Sequence, residues 1–188
     1  MAPATQSSTS KSKSSKAKSS DGVAKSGRAT MSGNDAVSLL MRDHREVEKL
    51  FKQYEKAKDD NAEKQQIFQQ IAMELKVHTR IEEEIFYPAS RQYVSDEEVV
   101  NEAVVEHASA KDLIAQLEGM RPDDQYYDAK VKVLQEVIEH HVEEEETEYF
   151  PECRKSEMDL KGVGAQIDMR KRELMGGAGG MTDGRGAH

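Results

Sequence analysis

Residues 78–88 read HTRIEEEIFYP and residues 141–151 read HVEEEETEYFP, and these two stretches decide the fold. In both, a glutamate stands four positions after a histidine: His78 with Glu82, and His141 with Glu145. Residues four apart lie side by side on an α-helix, so each stretch predicts an imidazole and a carboxylate on one helix face. The proline that closes each stretch predicts the end of a helix, because proline lacks the backbone N–H that a helix interior needs.

The two stretches belong to an internal repeat with an offset of 63 residues. A further histidine lies 34 residues before each of the first two: His44 before His78, and His107 before His141. Apolar residues in the four segments recur at steps of three and four, which is typical of amphipathic helices. Short polar turns between the segments indicate antiparallel neighbours. The sequence therefore predicts an all-α fold, an antiparallel up-down-up-down four-helix bundle built from two repeated helical hairpins that cover each other's apolar faces.

The rest of the chain predicts two tails and one further helix. Residues 1–33 are mostly Ser, Lys, Ala, Thr and Gly, which bury too little apolar surface to fold, so we expect a disordered tail. We expect the bundle over residues 34–152, an additional helix over residues 153–175, and a flexible glycine-rich tail over residues 176–188.

Composition narrows the possible functions of the 188-residue chain, which is 36% hydrophobic and carries a net charge of -9. Residues 1–33 hold six Lys and Arg against one Asp, whereas the remainder holds 21 basic and 35 acidic residues. An acidic body does not favour specific nucleic-acid binding. Every apolar run is shorter than the roughly 20 residues of a membrane span, and the single Cys153 rules out an intramolecular disulfide. We expect a cytoplasmic protein, and the sequence leaves its oligomeric state open.

The predicted hairpins bring the four histidines to one depth of the core. In each hairpin the chain runs about 13 residues up to the turn and about 15 back, roughly 20 Å each way at 1.5 Å per residue. A buried, unpaired carboxylate costs several kcal/mol, and a cation between two of them removes that cost. Imidazoles mixed with carboxylates suit iron or manganese, and carboxylates shared between ions favour a dinuclear centre. The candidate metal ligands are His44, His78, Glu82, His107, His141 and Glu145.

Neighbouring residues offer rival or additional ligands. His140 competes with His141 and has its own partner, Glu144, four positions on, but the repeat aligns His140 with Val77 and favours His141. The other glutamates of the runs 82–84 and 143–146 are interpreted as solvated faces.

These residues resemble the hemerythrin-like (HHE cation-binding) family over about residues 35–152. The matching motifs are Asp43-His44, Glu106-His107 and the two stretches quoted above. The resemblance implies a four-helix bundle that holds two iron ions, with room for an oxo or hydroxo bridge, and that meets O2, NO or peroxide. By this resemblance His44 and His78 would serve one iron, His107 and His141 the other, and Glu82 and Glu145 would bridge them.

One position departs from the family pattern. Oxygen-carrying hemerythrins have a further histidine one turn beyond the third-helix ligand, where this chain has Lys111, and the difference disfavours reversible O2 carriage. Glu48, one turn beyond His44, and Tyr54, at the far end of the same predicted helix, are additional candidates for the open coordination position.

Three functions remain open at this point. The first is a non-haem di-iron protein that binds or senses O2, NO or peroxide, or that handles iron. The alternative is a di-iron enzyme with peroxide-disproportionating (catalase-like) or ferroxidase-type activity, so the sequence does not decide whether the protein is an enzyme. The third is an interaction protein whose basic tail docks on DNA or a membrane while the bundle senses.

Overall fold

A computed structural model describes residues 34–95 and 97–178, and in this part of the chain all regular structure is helical. The five long helices are α1 (Ala36–Ala57), α2 (Asn61–Ile81), α3 (Glu97–Glu118), α4 (Tyr127–Glu144) and α5 (Leu160–Ala178). Helices α1 and α2 pack as one hairpin and α3 and α4 as the other, which confirms the predicted all-α bundle. The tail expected over residues 1–33 lies outside the described residues. Among the described helices, none combines the length and apolar character that a membrane crossing requires.

Aspartates start both helices of the first hairpin. The Asp35 carboxylate accepts a hydrogen bond from the Ser38 backbone N–H at 2.9 Å, and Asp60 accepts one from the Glu63 N–H at 3.0 Å. These contacts satisfy N–H groups that the first turn of a helix leaves without a partner. The chain reverses between them at Lys58, whose φ is 46°. The short turn therefore fixes α1 and α2 as antiparallel neighbours.

The bundle core consists of two apolar clusters with a polar layer between them. One cluster, toward the turns of the hairpins, includes Leu50, Ile71, Ile114 and Leu134, all at most 5% exposed. The other, toward the opposite end, includes Leu40, Ile81, Phe86, Val100 and Phe150, all at most 2% exposed. The four candidate histidines lie along the helices between these clusters. The polar layer is therefore shielded from water on both sides along the bundle axis.

The prediction that both helices end at proline was wrong. Helix α2 continues through a π-helical turn, Glu82–Phe86, into an α-helical turn, Tyr87–Ser90, and α4 continues through Glu145–Tyr149 into Phe150–Lys155. In the π turn the N–H of Tyr87 donates to the carbonyl of Glu82, five residues back. The wide turn interrupts the regular hydrogen-bond ladder just before the proline. Each proline therefore lies in the first turn of a new helical segment. At that position the backbone N–H that proline lacks would have no partner within the helix.

Helix α5 follows the bundle and packs on α1 and α2. Its Ile167 is 1% exposed within the apolar cluster of Leu40 and Phe86. Gly164 brings the two backbones together, because a Cβ there would lie 2.6 Å from the Asn34 carbonyl oxygen and 2.8 Å from the Ala36 nitrogen. The helix extends to Ala178, so it includes the first residues of the stretch that the sequence assigned to a flexible tail.

A methyl group at position 164 should weaken the packing of α5 against the start of α1. We expect Gly164→Ala to lower the free energy of unfolding by about 1–3 kcal/mol, because the new Cβ meets backbone atoms that cannot rotate away. Urea denaturation followed by circular dichroism measures the change. The control is Gly176→Ala in the same helix, where nothing lies within 4 Å, and it should be neutral or stabilising by up to about 1 kcal/mol. Equal stability of the two variants would contradict the close α1–α5 approach.

Candidate metal centre

Six buried side chains meet in the polar layer, and we call them the inner cluster. Each is at most 5% exposed, and together they are the six sequence candidates His44, His78, Glu82, His107, His141 and Glu145. Each hairpin contributes one histidine from its first helix and a histidine and glutamate from its second. Both glutamates open the π turns, which directly follow α2 and α4. The structure therefore brings all six predicted residues together.

The histidines form two close pairs joined by one glutamate. The Nε2 atoms of His44 and His78 are 3.1 Å apart, and those of His107 and His141 are 3.2 Å apart. The carboxylate of Glu82 spans the pairs, with Oε1 3.1 Å from Nε2 of His78 and Oε2 3.3 Å from Nε2 of His107. One oxygen of Glu82 thus faces each histidine pair.

Glu145 lies across from Glu82 but is held differently. Its Oε2 is 3.3 Å from Nε2 of His44 and 3.6 Å from Nε2 of His141, so a single oxygen faces both pairs. Its Oε1 accepts a hydrogen bond of 2.9 Å from the Tyr87 hydroxyl. The repeat places Phe150 at the position equivalent to Tyr87, and phenylalanine cannot donate such a bond. The two carboxylates are therefore not equivalent.

A second set of carboxylates surrounds the inner cluster, and we call these the outer carboxylates. They face the Nδ1 atoms of the histidines: Glu146 on His44 at 2.8 Å, Glu83 on His107 at 2.9 Å, Glu106 on His141 at 3.1 Å and Asp43 on His78 at 3.7 Å. The interpretation of Glu83 and Glu146 as solvated faces was wrong. The signal that could have found them is the 63-residue offset, which relates Glu83 to Glu146 and Asp43 to Glu106.

The outer carboxylates determine which ring nitrogens face inward without a proton. A carboxylate only accepts, so Nδ1 of His44, His107 and His141 must donate to it. A neutral imidazole with a proton on Nδ1 carries a lone pair on Nε2. The Nε2 atoms of His107 and His141 therefore present two lone pairs to each other at 3.2 Å. This arrangement is repulsive unless a proton or a metal ion lies between the two nitrogens.

The residues of the inner cluster fit a metal ion. Two imidazoles bound to one ion at about 2.1 Å, at bond angles of roughly 90–110°, have nitrogens about 3.0–3.4 Å apart, which matches both pairs. Both oxygens of Glu82 and Oε2 of Glu145 are buried without a hydrogen-bond partner among the described residues. Within the inner cluster, two groups have donor atoms close enough to hold an ion: His44, His78, Glu82 and Glu145, and Glu82, His107 and His141. Glu82 belongs to both groups, as expected of a shared ligand.

Cationic side chains balance the outer carboxylates. Arg45 pairs with Glu146, Lys111 donates to Glu83 at 2.6 Å, and Lys171 of α5 donates to Asp43 at 2.5 Å. Glu106 is contacted instead by His140, whose Nε2 lies 3.7 Å away. The positive charges thus lie outside the ring of histidines, and the inward side remains anionic.

Without a metal, the inner cluster holds protons. Burial by itself would lower the pKa of His78, but the adjacent Glu82 carboxylate outweighs burial and raises that pKa to about 10. Burial would likewise raise the pKa of Glu82, but His78 and His107 hold it well below its usual range. At neutral pH the metal-free cluster therefore carries a proton on His78 beside an ionised Glu82.

The two additional candidate ligands do not reach the cluster. Glu48 points to solvent and pairs with Arg45 and Lys52 on its own helix, because its position falls off the inward face. Tyr54 lies more than two helical turns from His44 along α1. Its hydroxyl donates a hydrogen bond of 2.6 Å to Asp128. His140 is likewise exposed and pairs with Glu144 at 3.4 Å.

An open groove leads from the surface toward His44. Its volume is about 370 Å³, and it runs between α1 and the α4 segment, with walls that include Val47, Phe51, Ile138 and Val142. A small chamber of about 10 Å³ lies behind it and is bordered by all four histidines of the inner cluster. The groove and the chamber share four lining residues, His44, Val47, Ile138 and Val142, so the two spaces adjoin.

Comparison with known proteins assigns the family. Residues 35–153 match the Hemerythrin HHE cation binding domain, and the chain belongs to this family. The matched residues contain the whole inner cluster and end before α5. The protein is thus an HHE cation-binding domain protein whose buried histidines and glutamates are consistent with a metal site.

One solved structure and one characterised relative are similar to it. The crystal structure of a Hemerythrin HHE cation binding domain-containing protein from Mycobacterium kansasii superposes with a TM-score of 0.66, at 24% identity, over 77% of this chain and 89% of that chain. That likeness concerns the fold. A protein from Nostoc named as a DNA nickase is 25% identical over 167 residues, 85% of this chain. The match spans 47% of the Nostoc protein, about half its length.

Loading of the inner cluster with a divalent cation should release protons. The raised pKa of His78, about 10, means that its imidazole is protonated at neutral pH in the metal-free protein and must lose that proton to become a ligand. We expect release of about one proton or more per chain at pH 7 and an apparent affinity that rises with pH up to about 10. A titration with Zn²⁺ in weakly buffered indicator solution measures both. Proton release that is absent, with binding intact, would contradict the protonated cluster.

Proposed function

We propose that the inner cluster holds two iron ions and that the protein binds a small ligand, O2, NO or peroxide, there as a sensor or in iron handling. The observation that carries the proposal is the close approach of the Nε2 lone pairs of His107 and His141, 3.2 Å apart in the centre of the bundle. Four imidazoles with two carboxylates are a donor set that suits iron. When bound, iron would supply a redox-active metal ion to which such a ligand can coordinate.

The protein's own residues would have separate roles at such a centre. Glu82 would bridge the two ions, since one of its oxygens faces each histidine pair. The Tyr87 hydroxyl would hold Glu145 by its second oxygen and keep that carboxylate from turning. Glu146, Glu83 and Glu106 would fix the ring orientation of the histidines that they contact and increase their basicity, as is usual for metal-bound imidazoles.

The groove that runs between α1 on one side and α4 with its following π turn on the other favours a small, uncharged ligand. Its inner end at Val47, Ile138 and Val142 is apolar, and the chamber behind it is about the size of one small molecule. A volume of about 10 Å³ is about what one water molecule needs, so the chamber favours the smallest ligands over a larger substrate. A reducing, cytoplasmic setting agrees with Cys153, which is buried and free, and whose thiol pKa burial raises to about 12.

An optical test of the iron centre uses azide as the probe. We expect the purified ferric protein to contain two irons per chain and to develop an azide-to-iron charge-transfer band that saturates with azide. Glu82→Gln should lose most of the band and at least one iron, because the bridging carboxylate becomes a neutral amide. Iron analysis and azide titration followed in the visible range provide the measurement.

The matched control for this test is Glu84→Gln. Glu84 lies two positions away and is exposed, and it pairs with Arg80 and Arg170 rather than with the inner cluster. This variant should keep the iron content and the band of the wild type. A wild-type protein that binds iron but shows no azide-dependent band would refute the proposed ligand-binding function.

The alternative function is an enzyme that disproportionates peroxide or oxidises ferrous iron at the same centre. It is favoured by Lys111, which stands where oxygen carriers have a histidine and which donates both to Oε1 and to Oε2 of Glu83, at 2.6 and 2.7 Å. The pair of His107 and His141 therefore has one imidazole fewer than the corresponding side of an oxygen carrier.

Oxygen release distinguishes the enzyme from the sensor. A peroxide-disproportionating enzyme should evolve many O2 molecules per chain from hydrogen peroxide, with one O2 for every two peroxides consumed, and Glu82→Gln should lower the rate at least tenfold. A sensor should bind peroxide and stop after about one equivalent. A Clark electrode measures the yield, and equal rates for wild type and Glu82→Gln would exclude catalysis at the inner cluster.

The DNA-nicking name of the Nostoc relative is not carried over to this chain. Residues 34–188 hold 35 acidic residues against 21 basic ones, which repels a polyanion. A role for the basic residues 1–33 in docking to DNA or a membrane stays a prediction, because they lie outside the described residues. Deletion of residues 1–33 should then change localisation and leave the iron content unchanged.

A further inference from the structure

One histidine of the inner cluster differs from the other three in its outer contact. The outer carboxylates of His44, His107 and His141 lie 2.8, 2.9 and 3.1 Å from Nδ1, within hydrogen-bond distance. Asp43 lies 3.7 Å from Nδ1 of His78, beyond that distance, and this Nδ1 is buried without a hydrogen-bond partner among the described residues. The His78 imidazole therefore lacks the contact that orients and strengthens the other three.

The carboxylate that faces His78 also contacts a lysine from outside the bundle. Lys171 of α5 donates to Oδ1 of Asp43 at 2.5 Å, and its ammonium is also 3.6 Å from Glu74. The side chains of Lys171 and Asp43 are only 24% and 13% exposed, so water screens their attraction weakly. Arg170, the preceding residue, pairs with Glu84 at 2.8 Å and holds this part of α5 in place.

The internal repeat supplies the comparison. The residue equivalent to Asp43 in the second hairpin is Glu106, which is longer by one methylene and faces no lysine among the described residues. Glu106 reaches Nδ1 of His141 at 3.1 Å. A shorter side chain and a competing ammonium thus coincide at the one histidine whose hydrogen bond is missing. The residues that match the family end at position 153, so the family pattern does not include Lys171.

We propose that Lys171 is a positioning residue that withholds the Asp43 carboxylate from His78 and so weakens the donor strength of that imidazole toward its metal ion. The proposal rests on the dinuclear metal site of the proposed function. It makes α5, a helix outside the matched domain, part of the control of one metal position. Outer partners of metal-bound histidines change metal affinity by about 10–100-fold, which sets the size of the effect to expect.

Cobalt titration tests the proposal, because Co²⁺ bands in the visible range report each bound ion. In Asp43→Glu the longer carboxylate should reach Nδ1 of His78 while Lys171 and the net charge stay unchanged. We expect one of the two Co²⁺ ions to bind about tenfold more tightly than in the wild type. Lys171→Met should produce a similar gain by releasing Asp43, and Lys171→Arg should keep the wild-type affinity.

The control separates hydrogen bonding from simple charge removal. Lys111→Met also removes a positive charge next to an outer carboxylate, but Glu83 already bonds its histidine at 2.9 Å. A gain in Lys171→Met that exceeds the gain in Lys111→Met supports the proposal, and equal gains overturn it. Unchanged affinities in Asp43→Glu also overturn it, provided that circular dichroism shows a folded protein. A wild-type protein that binds no Co²⁺ refutes the proposed dinuclear site itself, whereas normal binding without a gain refutes only the role of Lys171.

Discussion

The structure depends on one constraint, the burial of unprotonated Nε2 atoms that face one another. The outer carboxylates force the proton of each bonded imidazole to Nδ1, so a neutral His107 and a neutral His141 present lone pairs at 3.2 Å. Burial excludes the water that could otherwise solvate them. A cation in this layer removes the repulsion and offers a partner to both oxygens of Glu82 and to Oε2 of Glu145, which are buried without a hydrogen bond among the described residues. The bundle around this layer must therefore hold six donors in fixed places.

The π turns connect that constraint to the fold. Each begins at an inner-cluster glutamate and is followed by a proline two positions after it ends. A π turn inserts one residue per turn and rotates the chain beyond it. The aromatic residues that follow are thereby directed at the cluster, where Phe150 stacks on His44 at 5.7 Å and Tyr87 on His107 at 5.8 Å. Each π turn thus directs a glutamate carboxylate toward the inner cluster and places an aromatic ring against one of its histidines.

The sequence predicted the helices and the inner cluster because both follow from periodicity and from the 63-residue offset. It did not predict that helices continue past Pro88 and Pro151, since the π turn that admits proline has no simple sequence pattern. It also missed Glu83 and Glu146, because a glutamate beside another glutamate is indistinguishable from a solvated one by helical phase alone. Three-dimensional packing decides that these two carboxylates meet the histidines of the other hairpin.

The two repeated hairpins carry different residues at two positions next to the inner cluster. Two identical hairpins would give two equivalent halves of the inner cluster. Here Tyr87 of the first hairpin corresponds to Phe150 of the second, and among the described residues only Glu145 of the two inner glutamates accepts a hydrogen bond from a tyrosine hydroxyl. Asp43 likewise corresponds to Glu106, and of these two only Asp43 contacts a lysine of the described part of the chain. The first difference bears on Glu145, whose Oε2 faces both histidine pairs, and the second bears on His78. The broken repeat therefore makes the two halves of the inner cluster chemically different, although the same hairpin builds both.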